Sequence, residues 1–214
     1  MKVELLTSPL SIEEMEMTAA LAALTCRANT EKPYIPEVVL RRIIKAGHES
    51  VLEHINLTYS VKGLSRACLQ ELARHRHISL SVESTRHTLR KKLDTFDQQL
   101  RENEAFAKGI IDNHVQKRMS TLKKLHQFAE DNPDMSNDKL KYYLPEFWPT
   151  NLILTSNVRE LRHILQLRTA PAALKEFRDL ARAMYEAVPE QFKYLLRDCV
   201  HEEQSQVQCE AEEV

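Results

Sequence analysis

"RHRHISLSVESTR", residues 74–86, packs three arginines and two histidines into thirteen positions that hold a single acid, Glu83. Extended to residues 74–92, the stretch carries six Arg and Lys against that one carboxylate. It reads as a solvated basic face after a helix, a patch for nucleic acid, or a pocket for phosphates. Solvated faces favour Lys and Glu. This one uses arginine, whose planar fork pairs with phosphate oxygens, beside the hydroxyls of Ser79, Ser81, Ser84 and Thr85. It holds no aromatic residue on which bases could stack. A phosphate pocket is the most economical reading, and a small nucleic-acid-binding protein using residues 74–92 is the alternative.

The rest of the chain is not basic. Its 30 Lys+Arg stand against 31 Asp+Glu for a net charge of -1, so the cluster is local, whereas nucleic-acid binders expect a broad basic surface. With 214 residues, 43% of them hydrophobic, one core in one domain is expected over 1–200, followed by a polar acidic tail at 201–214. Only Gly47, Gly63 and Gly109 occur, so neither a G-x-G-x-x-G loop nor a Walker A loop can be written. Phosphates must then be held by side chains and helix ends.

Cys26, Cys68, Cys199 and Cys209 lie far apart without a C-x-x-C pair. None has a histidine as immediate neighbour, so Cys26 and Cys68 are expected to be buried, reduced and structural, as suits a cytoplasmic protein. No apolar run reaches the roughly 18 residues of a membrane span. The first residues, acidic early and without an apolar core, are not expected to form a signal peptide.

The expected class is α+β, mostly helical around a small sheet. MKVELLTSP and TNLILTS read as strands, and INLTYSVKG alternates apolar and polar residues as a strand does. A helix is expected over Ile12–Arg27 with Ser11 as N-cap, and a second from Pro36 to Gly47. LSRACLQELARHR is helical, so the 74–86 stretch should begin at a helix end and run into a loop. From about Phe96 to Glu130 the pattern is long, charged and helical, an arm spanning about 96–140 with its clearest break at EDNPDMSND. Another helix runs from about Asn157 to Leu167, and Pro171 should start the next at its first position.

A metal is not expected. His48 and His54 are six apart rather than four, and His75 and His77 are flanked by Arg74 and Arg76, which repel a cation.

Arg74-His75-Arg76, seven residues, then Ser84 resembles the R-H-R-x7-S signature of the flavin-dependent thymidylate synthases, and Ser79 and Arg86 extend the match. GHESVLEH at 47–54 is similar to the family's G-H-E-[ST]-x-x-E-H segment. Asn157, Leu167-Arg168, and Ala173 with Glu176 resemble its C-terminal block. Departures occur too. The acid many members carry at the position of Val82 stands one step later at Glu83, a common Tyr is His87, a common Arg is Lys141, and a residue often Asn is His163.

The resemblance implies a homotetramer with helices around a central sheet and FAD at subunit interfaces. It implies dTMP made from dUMP, with 5,10-methylenetetrahydrofolate as one-carbon donor and NADPH reducing the flavin. Ser50, Arg74, His75 and Arg76 are implied flavin contacts, together with Val82, Asn157, Arg159 and His163. Glu71, Arg74, Ser84, Thr85, Arg86, Lys141 and Arg168 are implied dUMP contacts. Arg168 and Ser84 are the implied catalytic pair, Ser84 as a positioning hydroxyl rather than a nucleophile. Arg168 at its helix end could instead cap the last carbonyls. No cysteine follows a proline, as the nucleophile of the cysteine-dependent synthases does, which fits chemistry without a protein thiol. Neither nucleic acid nor membrane is an expected partner.

Overall fold

A computed structural model describes residues 1–102 and 113–202. Four antiparallel strands, β1 (Lys2–Leu5), β2 (Asn56–Ser65), β3 (Ile78–Val82) and β4 (Pro149–Asn157), form one sheet in the order β1-β2-β4-β3. Alternation decides which face is buried. Leu57, Tyr59 and Val61 of β2 and Leu152 and Leu154 of β4 point inward, while Thr58 and Thr155 pair through their hydroxyls at 2.9 Å on the outer face. Ile78 and Leu80 of β3 also face the core, leaving Ser79 and Ser81 outside.

Helices α1 (Pro9–Thr25), α2 (Pro36–Lys45) and α3 (Arg66–Leu72) precede and follow the first long strand, and α7 (Val158–Arg168) and α8 (Lys175–Glu186) follow β4. Ile12 of α1, Leu161 and Leu165 of α7, and Phe177 and Leu180 of α8 are fully buried with the inner strand residues. Each such side chain contributes roughly 1.5–3 kcal/mol by leaving water. Between β3 and β4, α4 (Thr85–Glu102), α5 (Asn113–Asp131) and the short α6 (Asn137–Leu140) build a hairpin with its own core of Leu89, Leu93, Leu122, Leu125, Leu140 and Trp148. The arm thus begins at Thr85, earlier than its charge pattern suggests. Residues 103–112, and the tail beyond 202, lie outside the described residues.

Three expectations need correction. The first helix starts at Pro9, capped by Ser8, whose hydroxyl accepts from the Ser11 amide at 3.2 Å; proline at the first position outweighs Ser11 as the start signal. The 74–86 stretch does not run into a loop: I-S-L-S-V forms β3, paired from Ile78↔Ser156 to Val82↔Leu152. Pro171 opens a turn, not a helix. α8 begins four residues later, and Arg178 donates to the carbonyls of Pro171 and Ala173 that the turn leaves unpaired.

The G-H-E segment has a plain structural basis. Gly47, at φ +71°, closes α2: its amide donates to Ile44 O at 3.0 Å and the His48 amide to Ile43 O at 3.1 Å, the paired bonds of a glycine helix stop. Glu49 then reaches Arg162 of α7, which is buried and also donates to Asp198 and to Leu195 O.

Candidate active site

After α3 the chain turns on two bonds that each span three residues, Arg74 N to Glu71 O and His75 N to Leu72 O. The turn sends His75 inward, 6% exposed, and leaves Arg74 and Arg76 outward. Across from it lies α7, capped by Asn157, whose side-chain oxygen accepts from the Glu160 amide at 2.8 Å. Glu160 from the first turn of α7 and Arg168 from its last residue both reach the His75 ring.

Arg168 Nε lies 3.1 Å from His75 Nε2, and His75 Nδ1 lies 3.1 Å from Glu160 Oε1. A guanidinium can only donate, so His75 Nε2 accepts, and the ring proton sits on Nδ1 and donates to Glu160. Burial holds His75 below the usual imidazole range against the pull of the Glu160 hydrogen bond, and the charge of Arg168 adds to the burial. Arg168 Nη1 donates to Glu71 Oε2 at 3.2 Å, and its guanidinium lies 4.6 Å from the centre of the Phe177 ring. The head of Arg168 is therefore held by side chains and does not cap its own helix. A cleft of about 470 Å³ opens beside it, lined by Glu71, Arg74, His163, Leu167 and Ala172–Ala173 among others.

A second basic group sits at the other end of β3. Ser84 O accepts from the His87 and Thr88 amides and so starts α4, whose first turn carries half-buried Thr85 and exposed Arg86. Arg86 Nε and Lys141 Nζ converge on Asp138 Oδ1 at 3.0 and 3.2 Å, and their hydrogen bonds hold that carboxyl below the usual range. The five residues of β3 span about 17 Å, at about 3.3 Å per residue. The cleft beside Arg168 is lined by Arg74 and Glu71, whereas Ser84, Thr85, Arg86 and Lys141 lie beyond the far end of β3 and are not among its lining residues.

The remaining sequence candidates are scattered around these two centres. Val82 is 37% exposed at the end of β3, whereas Glu83 turns in to accept from Lys92 at 2.7 Å and Asn151 at 2.8 Å. Burial pushes the Glu83 carboxyl up, but these bonds and one from Thr88 outweigh it and keep it low. Glu83 ties β3 to β4 and α4. Arg90 donates to the carbonyls of Ala129, Asn132 and Met135. Two of the six cations in 74–92 are thus structural, which removes the continuous basic strip that nucleic acid would need. Ser50 is exposed on the turn after Gly47, Arg159 pairs with Glu53 at 2.6 Å, and exposed His163 meets His75 edge-on at 5.9 Å.

Cys26 is exposed, contrary to expectation: it is the C-cap residue just past the last turn of α1, outside the buried face of that helix. Cys68 and Cys199 are buried, and burial pushes their thiols up to about 12 and about 11, so neither supplies a thiolate near neutral pH. Sequence reasoning missed Glu160, Arg162 and Asp138. Only Glu160 left a signal, an acid three residues after the Asn157 cap.

A sequence model of the family described as "Thymidylate synthase complementing protein" matches residues 9–192. Curated flavin-dependent thymidylate synthases from Campylobacter jejuni (strain RM1221) and Helicobacter pylori (strain 26695) are 40% and 41% identical over 166 and 160 residues. The first alignment covers 74% of this chain and 78% of the relative, the second 72% and 76%. Two crystal structures of thymidylate synthase X (ThyX) from Helicobacter pylori, each with FAD and dUMP, superpose with TM-scores of 0.79 and 0.78 at 33% and 34% identity. Each match covers 94% of this chain and 100% of the other.

Proposed function

The chain belongs to the flavin-dependent thymidylate synthase family, and from that premise we propose that it makes dTMP from dUMP by reductive methylation. The one-carbon donor is 5,10-methylenetetrahydrofolate, and NADPH reduces the FAD. The observation that carries the reading in this chain is the Arg168 fork, fixed on two sides and open to a cleft between α3 and α7.

The residues fit a flavin dinucleotide. Arg74 is 75% exposed with its nearest acid at 3.9 Å, and Arg76 is exposed without an acid among the described residues. Two guanidiniums left to solvent, one of them (Arg74) lining the cleft, suit a pyrophosphate in a chain with no glycine-rich loop. When bound, FAD supplies hydride transfer. Ser50, His163, Asn157, Arg159 and Val82 complete the flavin surface we propose, with His75 contributing as the buried support beneath it.

We assign dUMP to Glu71, Arg74, Arg168, Ser84, Thr85, Arg86 and Lys141. Nη2 of Arg168 meets no acceptor among the described residues, so it can donate to the uracil N3/O4 edge and stabilise negative charge as C5 becomes nucleophilic. Ser84, Thr85 and the first amides of α4 suit the phosphate. Arg86 and Lys141, now sharing Asp138, can turn to it. That the five residues of β3 stand between the two groups supports a site completed by a second chain, and the outer sheet face, where Ile153 is 40% exposed, supports assembly through it. A homotetramer is the assembly we propose, measurable by light scattering. Its work is cytoplasmic in this reading, where cysteines stay reduced; no helix among the described residues is long and apolar enough to cross a membrane. The test is the absorbance of the purified protein. A flavin band perturbed by dUMP is expected. Protein that is colourless and stays so after FAD is added contradicts the assignment.

A further inference from the structure

We propose that Glu160, acting through His75, is a positioning residue that aims the Arg168 fork; the inference rests on the reading of Arg168 as the uracil-facing donor. Glu160 and Arg168 lie eight residues apart on α7, about 12 Å along the axis at about 1.5 Å per residue. At 3.6 residues per turn they stand about 80° apart around the axis, so one ring set against that side of the helix can reach both. Their side chains do not meet directly. His75 bridges them from the turn after α3, with each ring nitrogen 3.1 Å from its partner.

The bridge works in one protonation state only. Nε2 must be bare to accept from Arg168 Nε, so the single ring proton must be on Nδ1, where Glu160 receives it. The Glu160 backbone amide donates to the Asn157 cap, and its side chain is 10% exposed. Protonation of Nε2 would set two N–H groups and two cations against each other and release the Arg168 head. The charged and titratable groups facing His75 are Glu160, His163 and Arg168 of α7; α8 faces it with Phe177, and Glu71 of α3 faces it behind Arg168. Of these, only Glu160 offers an acceptor to Nδ1.

The experiment compares wild type, Glu160→Gln, Glu160→Ala and His75→Gln as purified holoenzymes. Calorimetric dUMP affinity, kcat and KM are followed from pH 5 to 8, with melting temperature as a folding control. Glu160→Ala should lower kcat by about 10–100-fold at neutral pH, more than it raises KM, because the donor is misaimed. Glu160→Gln keeps an acceptor oxygen for Nδ1 and should recover most of that loss. By removing the charge that favours protonated His75, it should also move the acid limb of dUMP affinity to lower pH. In His75→Gln the limb contributed by this position should vanish. The dUMP phosphate titrates at about pH 6 whichever variant is present, so only differences between variants count.

Nitrogen-15 spectra of labelled histidine read the tautomer without turnover, and an Nδ1–H signal for His75 is expected. Wild-type kcat in Glu160→Ala overturns the proposal, as does an Nε2–H tautomer. So does a fall in melting temperature alone, with kcat and pH profiles unmoved. Loss of dTMP formation in wild type, with the Nδ1–H tautomer present, would instead sink the functional reading and leave the bridge standing.

Discussion

Replacing Arg168 with alanine separates its catalytic role from its structural one, because the two effects differ in size. Structurally, the change removes the bond to His75 Nε2, the pair with Glu71 and the contact with the Phe177 ring. The hydrogen bond contributes about 1 kcal/mol. Glu71 is 38% exposed, so solvent screening reduces that pair to at most about 1 kcal/mol. The ring contact adds about 0.5–1 kcal/mol. A loss of about 2–3 kcal/mol from a typical stability of about 5–15 leaves the protein folded and its flavin bound. Losing one preorganised donor at the developing charge costs about 10²–10³ in rate. Arg168→Ala should therefore nearly abolish dTMP formation at saturating dUMP while the flavin spectrum and fold persist. Arg168→Lys should also be poor, since one ammonium cannot meet His75, Glu71 and the substrate edge together. The assay is single-turnover conversion of dUMP, with circular dichroism and flavin absorbance as controls. Retention of more than about a tenth of wild-type turnover would refute the role, since it lies well outside that range.

Arg76→Ala should lower flavin occupancy of the purified protein more than its melting temperature, read from the ratio of flavin to protein absorbance; full occupancy would show that Arg76 holds no pyrophosphate. Ser84→Ala should weaken dUMP binding in calorimetry yet leave measurable turnover, and a trapped serine-linked nucleotide would overturn its positioning role. Arg162→Met should destabilise the fold by about 2–3 kcal/mol, below the ~3–5 of a fully buried pair because Asp198 is 54% exposed. Hydrogen bonds from Arg162 hold Asp198 below the usual aspartate range against burial. Its stabilisation is present above about pH 3.9 and is lost as pH falls through the lower folded value. Acid melts should show that loss in wild type and not in Arg162→Met.

The strands were legible because alternation, as in INLTYSVKG, survives any later packing. β3 carries the same signal in I-S-L-S-V, but its flanking arginines drew the reading toward a loop. Pro9 and Pro171 show the limit of start signals: both prolines fit a first helical position, yet only Pro9 has a serine cap before it, and the turn at Pro171 is held by Arg178 from within the following helix. The R-H-R motif marked the site, but its spacing does not reveal that Arg74 and Arg76 face solvent while His75 faces the core. That division follows from the turn after Leu72, and the partner that completes it, Glu160, stands 85 residues away. Arg86 and Lys141 illustrate the same limit: their meeting at Asp138 depends on how the α4–α5 hairpin returns to the sheet.

The most direct measurement is product formation by the purified protein given dUMP, 5,10-methylenetetrahydrofolate and NADPH, with dTMP resolved by chromatography. dTMP is expected to require all three, to disappear when FAD is stripped and to return when FAD is restored. Protein that binds FAD and dUMP but forms no dTMP under these conditions would contradict the proposed function.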